Sequence, residues 1–172
     1  MGDSLSTVFT MIIAAIVMFL FPMLDSFERQ DDLSYMAVYT ATVDFVDAVR
    51  NTGVLTKEMY DSYLTQILGT GNTYDVTLEH REYKVVPGAA AGTSEIVYLN
   101  HYSSEIEDYL YSDSVDTPYK YPFNKGDYFY VSVKNTNKTQ ATVLKQTTYG
   151  TLIETFKIGV PYGGQIKSSY NP

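Results

Sequence analysis

Two histidines, His80 and His101, are the side chains of this chain whose ordinary titration range suits proton transfer near neutral pH. Neither sits in an HExxH motif or a comparable metal-ligand pairing, and the surrounding pattern predicts partly exposed strand or loop histidines. Ser103 and Ser104 follow His101 closely, but a nucleophile needs its base beside it in space rather than in sequence. No serine stands three places before a lysine, and no glycine-rich loop ends in Gly-Lys-Ser or Gly-Lys-Thr. The chain has no cysteine, which removes disulfides, thiolate chemistry and zinc-thiolate sites together. The residues therefore point to no catalytic constellation, cofactor or small-molecule substrate.

Two weaker chemical signals remain. Glu105, Glu107, Asp108, Asp113 and Asp116 form the densest acidic patch, with oxygen ligands of the kind calcium takes but without EF-hand spacing or its central glycine. Such a cluster reads first as a solvated acidic face. Asn137-Lys138-Thr139 matches the glycosylation acceptor pattern, a three-residue match whose use depends on the host. Net charge is −8, and the Lys and Arg residues are too few and scattered for phosphate binding, so no nucleic-acid partner is expected.

The element that must position everything else is the uncharged run from Ser4 to Leu24. It matches the ~20 apolar residues needed to cross a bilayer as a helix, which satisfies its own backbone hydrogen bonds in hydrocarbon. Met1–Asp3 lacks the basic region of a cleavable signal, so an uncleaved signal-anchor is expected. Arg29 is the only basic residue near either end, and Asp25, Glu28, Asp31 and Asp32 surround it. An N-in, C-out single pass with the larger domain exported is the expected placement. Pro22 either ends the span or bends a helix that continues. Beyond it, Tyr35, Val38, Phe45 and Val49, with Met36, Tyr39, Val43 and Val46 beside them, keep an apolar stripe at helical spacing up to Arg50. Asn51-Thr52-Gly53 then supplies a stop.

The expected organisation is thus a membrane or core helix over residues 1–24, an amphipathic continuation over 25–53 and a β-rich head over 54–172. Thr56 caps a second helix whose apolar face is Tyr60, Tyr63, Leu64, Ile67 and Leu68, with Leu55 and Tyr60 as a hydrophobic staple. Gly69 and Gly71 end it. Tyr74–His80 alternates as a strand with Tyr74, Val76, Leu78 and His80 on one face, and Tyr83–Val86 extends or pairs with it. Pro87–Gly92 reads as loop, Ser94–His101 fits strand or helix, and Ser104 with Glu107 suggests a capping box opening a short helix. Ser112–Asn124 reads as loop. Asp127–Asn135 is a strand with Phe129, Val131 and Val133 opposite Tyr128, Tyr130 and Ser132. The β-branched run Ala141–Tyr149 and Leu152–Val160 are two further expected strands, and Gly163-Gly164 a tight turn.

An apolar N-terminal helix, a proline near its end, an amphipathic continuation and a β-rich head together resemble a type IV pilin-like protein. More narrowly, VDFVDAVRNTGVLTKEMYDSYLTQIL from Val43, YDVTLEH from Tyr74 and YGGQI from Tyr162 look like the TadE-like pilin-related proteins of Gram-positive bacteria. The resemblance implies an α+β, pilin-like fold: a long helix packed on an antiparallel β-sheet head, serving as a major or minor subunit of an extracellular filament. Its partners would be copies of itself or other pilin-like subunits, with the membrane holding it before assembly. The assembly surface would include Val8, Met11, Ile12, Ile13, Ile16, Val17, Phe19, Leu20 and Pro22. Pilins usually carry a glutamate at the fifth mature position, where this chain has Leu5, so Asp3 is the substitute contact for a neighbouring N-terminus. The exposed tyrosines would meet between heads, where aromatics are enriched. The alternative is a single-pass anchored binding domain that does not polymerise. No LPxTG motif is present, so sortase attachment is not expected.

Overall fold

A computed structural model describes residues 2–88, 92–112, 119–150 and 158–170. Helix α1 runs without a break over Gly2–Thr52. At ~1.5 Å per residue its 51 residues span about 77 Å. Pro22 lies inside it, so the ring neither ends the helix nor divides it. Its missing donor leaves the Met18 carbonyl without its usual partner, a local loss that the long ladders on either side outweigh.

Gly53 has φ +72°, the left-handed conformation that stops the helix, and a Cβ there would overlap the Ser168 carbonyl oxygen of the crossing C-terminal segment. Strand β1 (Val54–Thr56) follows, then helix α2 (Lys57–Leu68). The Thr56 hydroxyl accepts from the Met59 N–H, and Leu55 and Tyr60 are both buried, as the capping and staple pattern predicts. Tyr60, Tyr63 and Ile67 form the buried face, whereas Leu68, turned about 100° from Ile67, falls outside it and is exposed.

Strand β2 (Tyr74–Pro87) pairs antiparallel with β3 (Ser94–Tyr102) and with β5 (Tyr128–Asn135), and β5 pairs with β6 (Gly159–Gln165). The order is β3-β2-β5-β6, all antiparallel, while β1 pairs with β4 (Lys120–Pro122) in a separate two-stranded sheet. Helix α3 (Ser103–Tyr111) follows β3, and α4 (Gln140–Tyr149) follows β5. The architecture is α+β: a long apolar N-terminal helix joined to antiparallel sheets.

The core lies where the second half of α1 crosses the sheet. Val38, Ala41, Phe45, Val46 and Val49 pack towards Leu78, Phe129, Val131, Val133 and Val160. Alternation on β5 puts Phe129, Val131 and Val133 inside and Tyr128, Tyr130 and Ser132 outside, as the sequence predicts. Phe45 stacks on Tyr63 with ring centroids 4.4 Å apart and meets Phe129 edge-on at 6.1 Å. These rings tie α1, α2 and β5 to one point. The Thr42 hydroxyl donates to the Val38 carbonyl at 2.7 Å, which leaves it to accept from the Tyr63 hydroxyl at 3.0 Å. Burial pushes the Tyr63 phenol up to about 12.

Several expectations are corrected. Ala141–Tyr149 is helix rather than strand. The Thr139 hydroxyl accepts from the Thr142 N–H, Gly150 closes the other end in the left-handed region, and Ala141 and Thr142 are buried. Two good caps and a small buried face override β-branched propensity. Gly163 and Gly164 lie within β6 rather than in a turn, because Tyr130 covers the first and the Arg50 guanidinium the second, leaving no room for a Cβ. Ser112–Asn124 is not all loop, since it contains β4. The short helix forms, but its cap position is Tyr102, so no Ser104 capping box exists. Ser103 instead accepts from the Leu78 N–H at 2.7 Å, and Glu107 accepts from the Tyr60 hydroxyl at 2.6 Å. Of the expected strand Leu152–Val160, residues 152–157 lie outside the described residues.

Phe129→Ala is expected to cost about 3–5 kcal/mol, since the wholly buried ring leaves a cavity between two rigid elements. Urea unfolding would check it, and a loss under about 1 kcal/mol would mean that the core is not organised around this ring.

Candidate assembly surface

The helical ladder fixes the geometry of α1: successive residues turn by about 100°, so a run that is apolar at every position is apolar all round. Val8, Met11, Ile12, Ile13, Ile16, Val17, Phe19 and Pro22 are all exposed, and Leu20 is partly so. The structure brings them onto one continuous helical rod but packs none of them in the core. Asp3 falls in the first turn of α1, and its side chain lies outside the described residues.

The rod meets the head through a polar collar. The buried Asp31 carboxylate accepts from the Thr139 hydroxyl at 2.8 Å, Glu28 pairs with Lys145, and the Ser34 hydroxyl turns back to the Gln30 carbonyl at 2.9 Å. This collar joins α1 to α4 where the apolar run gives way to the amphipathic one. Just before it, Met23 and Phe27 with Val143, Leu144 and Thr147 line an open apolar concavity of about 320 Å³.

Past the collar the stripe is divided. Val38, Phe45, Val46 and Val49 face the core, while Leu33, Tyr35, Met36 and Tyr39 face water, with Met36 64% exposed. Tyr35 and Tyr39 lie one turn apart with ring centroids at 6.3 Å. Sequence spacing identifies the whole stripe as apolar, but which residues the head covers depends on how the helix is turned against it: Ser34 and Val38 are buried between exposed neighbours.

His80 departs most from expectation. It is buried, only 4% exposed, rather than partly exposed. The Tyr121 hydroxyl lies 2.8 Å from Nδ1 and the Asp127 carboxylate 3.1 Å from Nε2. A neutral imidazole satisfies both by accepting at Nδ1 and donating at Nε2, so burial leaves no polar atom stranded. Asp127 also accepts from the Tyr83 and Asn124 N–H groups, which locks the loop before β5 onto β2. Burial holds the His80 imidazole below its ordinary value, with the Asp127 carboxylate opposing. The His80 ring stacks on that of His101, which lies 2.9 Å from Glu105 and 3.5 Å from Glu82. A histidine, carboxylate and phenol so enclosed serve as a structural tie. The missed signal was Asp127 itself, an acid opening the strongest strand.

Of the acidic patch, Glu105 and Glu107 are engaged as described, and Asp113 and Asp116 lie outside the described residues. Among the described residues, no group of three His, Cys, Asp or Glu side chains is placed to hold a metal ion. The Asn137 amide accepts from the Thr73 N–H at 3.0 Å and donates to the Asn72 side chain at 2.9 Å, pinning two turns together.

Because His80 is held neutral, the unfolded chain binds its proton first as pH falls, so stability rises with pH in this window. Its contribution is full above about pH 6.5, the ordinary histidine value, and is lost progressively below it. Urea unfolding from about pH 8 to 5 is expected to show this decline at up to ~1.4 kcal/mol per pH unit for one proton, and His80→Gln to flatten it. An unchanged slope in the variant would assign the dependence to other groups.

The chain matches no known family model, no curated protein and no solved structure.

Proposed function

We propose that this chain is a structural subunit of an extracellular type IV or Tad-like filament, held in the membrane N-in, C-out before assembly. One observation carries the reading. The apolar stretch of α1 is long and hydrophobic enough to span a bilayer, with a mean hydropathy of 2.5, and none of it is buried within the chain. The same helix continues unbroken into the head, so whatever buries the first half also fixes the orientation of the second.

A bilayer alone would cover the first half. Leu33, Tyr35, Met36 and Tyr39 lie beyond it, above the acidic collar, and a lone anchored domain would leave them in water. A bundle of parallel copies covers both stretches at once, each 100 Å² of apolar surface removed from water contributing about 2.5 kcal/mol. In this reading the Ser4–Leu24 surface forms the filament core, the sheet and short helices form its outside, and Asp3 meets the α-amine of a neighbour. The head contributes no chemistry of its own.

The decisive experiment is electron microscopy of material sheared from the native cells, with mass spectrometry of the purified fraction. Filaments containing this chain with α1 in their core are expected. Recovery solely as a detergent-soluble monomer would overturn the reading in favour of an anchored binding domain. Met36→Asp separates folding from assembly: at an exposed site it is expected to change head stability by no more than about 0.5 kcal/mol while sharply reducing filament yield. Asp3→Ala is expected to do the same, and normal filaments from it would remove the Asp3 contact from the proposal.

A further inference from the structure

Strand β3 is the edge of the four-stranded sheet and has no neighbour on its far side among the described residues. Strand β5 accompanies β2 only as far as Arg81, whereas β3 continues along β2 to the Pro87–Ser94 pair. Residues 82–87 and 94–99 therefore form a two-stranded arm that runs past the end of β5, tethered at its base by the Tyr83 N–H to Asp127 and by Tyr98 against Tyr128. Every β3 residue except His101 is exposed, including Ile96, Val97, Tyr98 and Leu99. A two-stranded ribbon is marginal in water, and a long apolar edge invites another strand. The usual guards are missing: Ser94–Tyr102 has no proline, no lysine and a single ionised residue, Glu95.

We infer that this edge pairs with β3 of a second copy, antiparallel, about a two-fold axis through Tyr98. Tyr98 is the midpoint of β3, so this register alone pairs the strand over its whole length. It opposes Val97 to Leu99 of the second copy, Tyr98 to Tyr98 and Glu95 to His101. Val97 and Leu99 meet apolar to apolar, Ile96 faces Asn100 and Ser94 faces Tyr102, and the one carboxylate of the strand meets its one basic side chain. Centring on Val97 instead sets Glu95 against Leu99, centring on Leu99 leaves Glu95 beyond the end of the partner strand, and either shortens the ladder. The two sheets become one of eight strands, an isologous contact that needs no other surface.

The pairing also has a direction. The second half of α1 packs as a layer on the sheet, so its axis lies along the sheet plane. A two-fold perpendicular to that plane reverses it. The two copies therefore belong to separate assemblies rather than to one parallel helix bundle, and the contact is between assemblies lying side by side. The pairing itself is a property of the head and does not rest on how α1 is buried; its place between assemblies rests on the filament reading.

The absence of cysteine makes the test clean. Residues opposed in an antiparallel ladder have Cα atoms about 4.5–5.5 Å apart, within disulfide reach. The full chain in detergent, carrying Tyr98→Cys, is expected to form a reducible dimer under mild oxidation. Glu95→Cys and His101→Cys should each stay monomeric alone, since each lies about 20 Å from its own copy, but cross-link when mixed. Thr77→Cys, exposed on β2, sets the background for random collision. Circular dichroism of each variant confirms that the head is folded. Tyr98→Cys dimers at the Thr77→Cys level, or Glu95→Cys homodimers exceeding the mixed product, would overturn the pairing.

Discussion

Everything in this molecule depends on the continuity of α1, whose hydrogen-bond ladder runs on past the missing donor of Pro22. A helix satisfies its own backbone, so one element can lie in hydrocarbon at one end and in a packed protein core at the other without changing conformation. The sequence changes partners along the way rather than structure. Before residue 25 no side chain is charged after Asp3; from Asp25 to Asp32 the collar is mostly polar; after Ser34 one face, with Val38, Ala41, Phe45, Val46 and Val49, packs in the core. Pro22 weakens the ladder at a single carbonyl, in a stretch where neither flank depends on the head.

The head is built to hold the second half of that helix. Phe45 reaches both α2 and β5, Thr42 is engaged by the Tyr63 hydroxyl, and Arg50 lies over Gly164 with its Nε donating to the Gln165 carbonyl. The last strand carries two adjacent glycines because a ring on one side and a guanidinium on the other occupy the space of their side chains. The sheet's far end is held by the His80–Asp127–Tyr121 cluster, which joins β2, the loop before β5 and β4 through groups that can be buried only together.

How much of this was legible in the residues follows from the range of each force. Local forces read well: the Thr56 cap, the alternation of Phe129, Val131 and Val133, and the long apolar run all declare themselves within a few positions. Ala141–Tyr149 misleads because propensity is a small term beside two caps and a docking surface supplied by α1. Gly163-Gly164 misleads because the reason for the glycines lies in Tyr130 and Arg50, distant in sequence. His80 misleads for the same reason, since its burial is permitted by Tyr121 and Asp127, each more than forty residues away. The division of the α1 stripe into covered and exposed residues is set by which side of the helix the head packs on, which no window of the helix contains. Those are the residues that the assembly reading draws on, so the surface was easier to see as apolar than to locate.

The junction at the end of α1 has a mechanical meaning. The Lys167 N–H donates to the Arg50 carbonyl, the Phe123 N–H to the Gly53 carbonyl and the Tyr170 N–H to the Phe123 carbonyl. The crossing segment passes so close to Gly53 that no side chain fits between. Tension applied along the rod thus enters the head at several backbone bonds on two different segments rather than at one hinge. Bonds that share a load must break together, whereas bonds met in succession can be peeled apart one by one. In the proposed filament, a fibre drawn taut would therefore stretch elsewhere before the rod pulled free of the domain it carries.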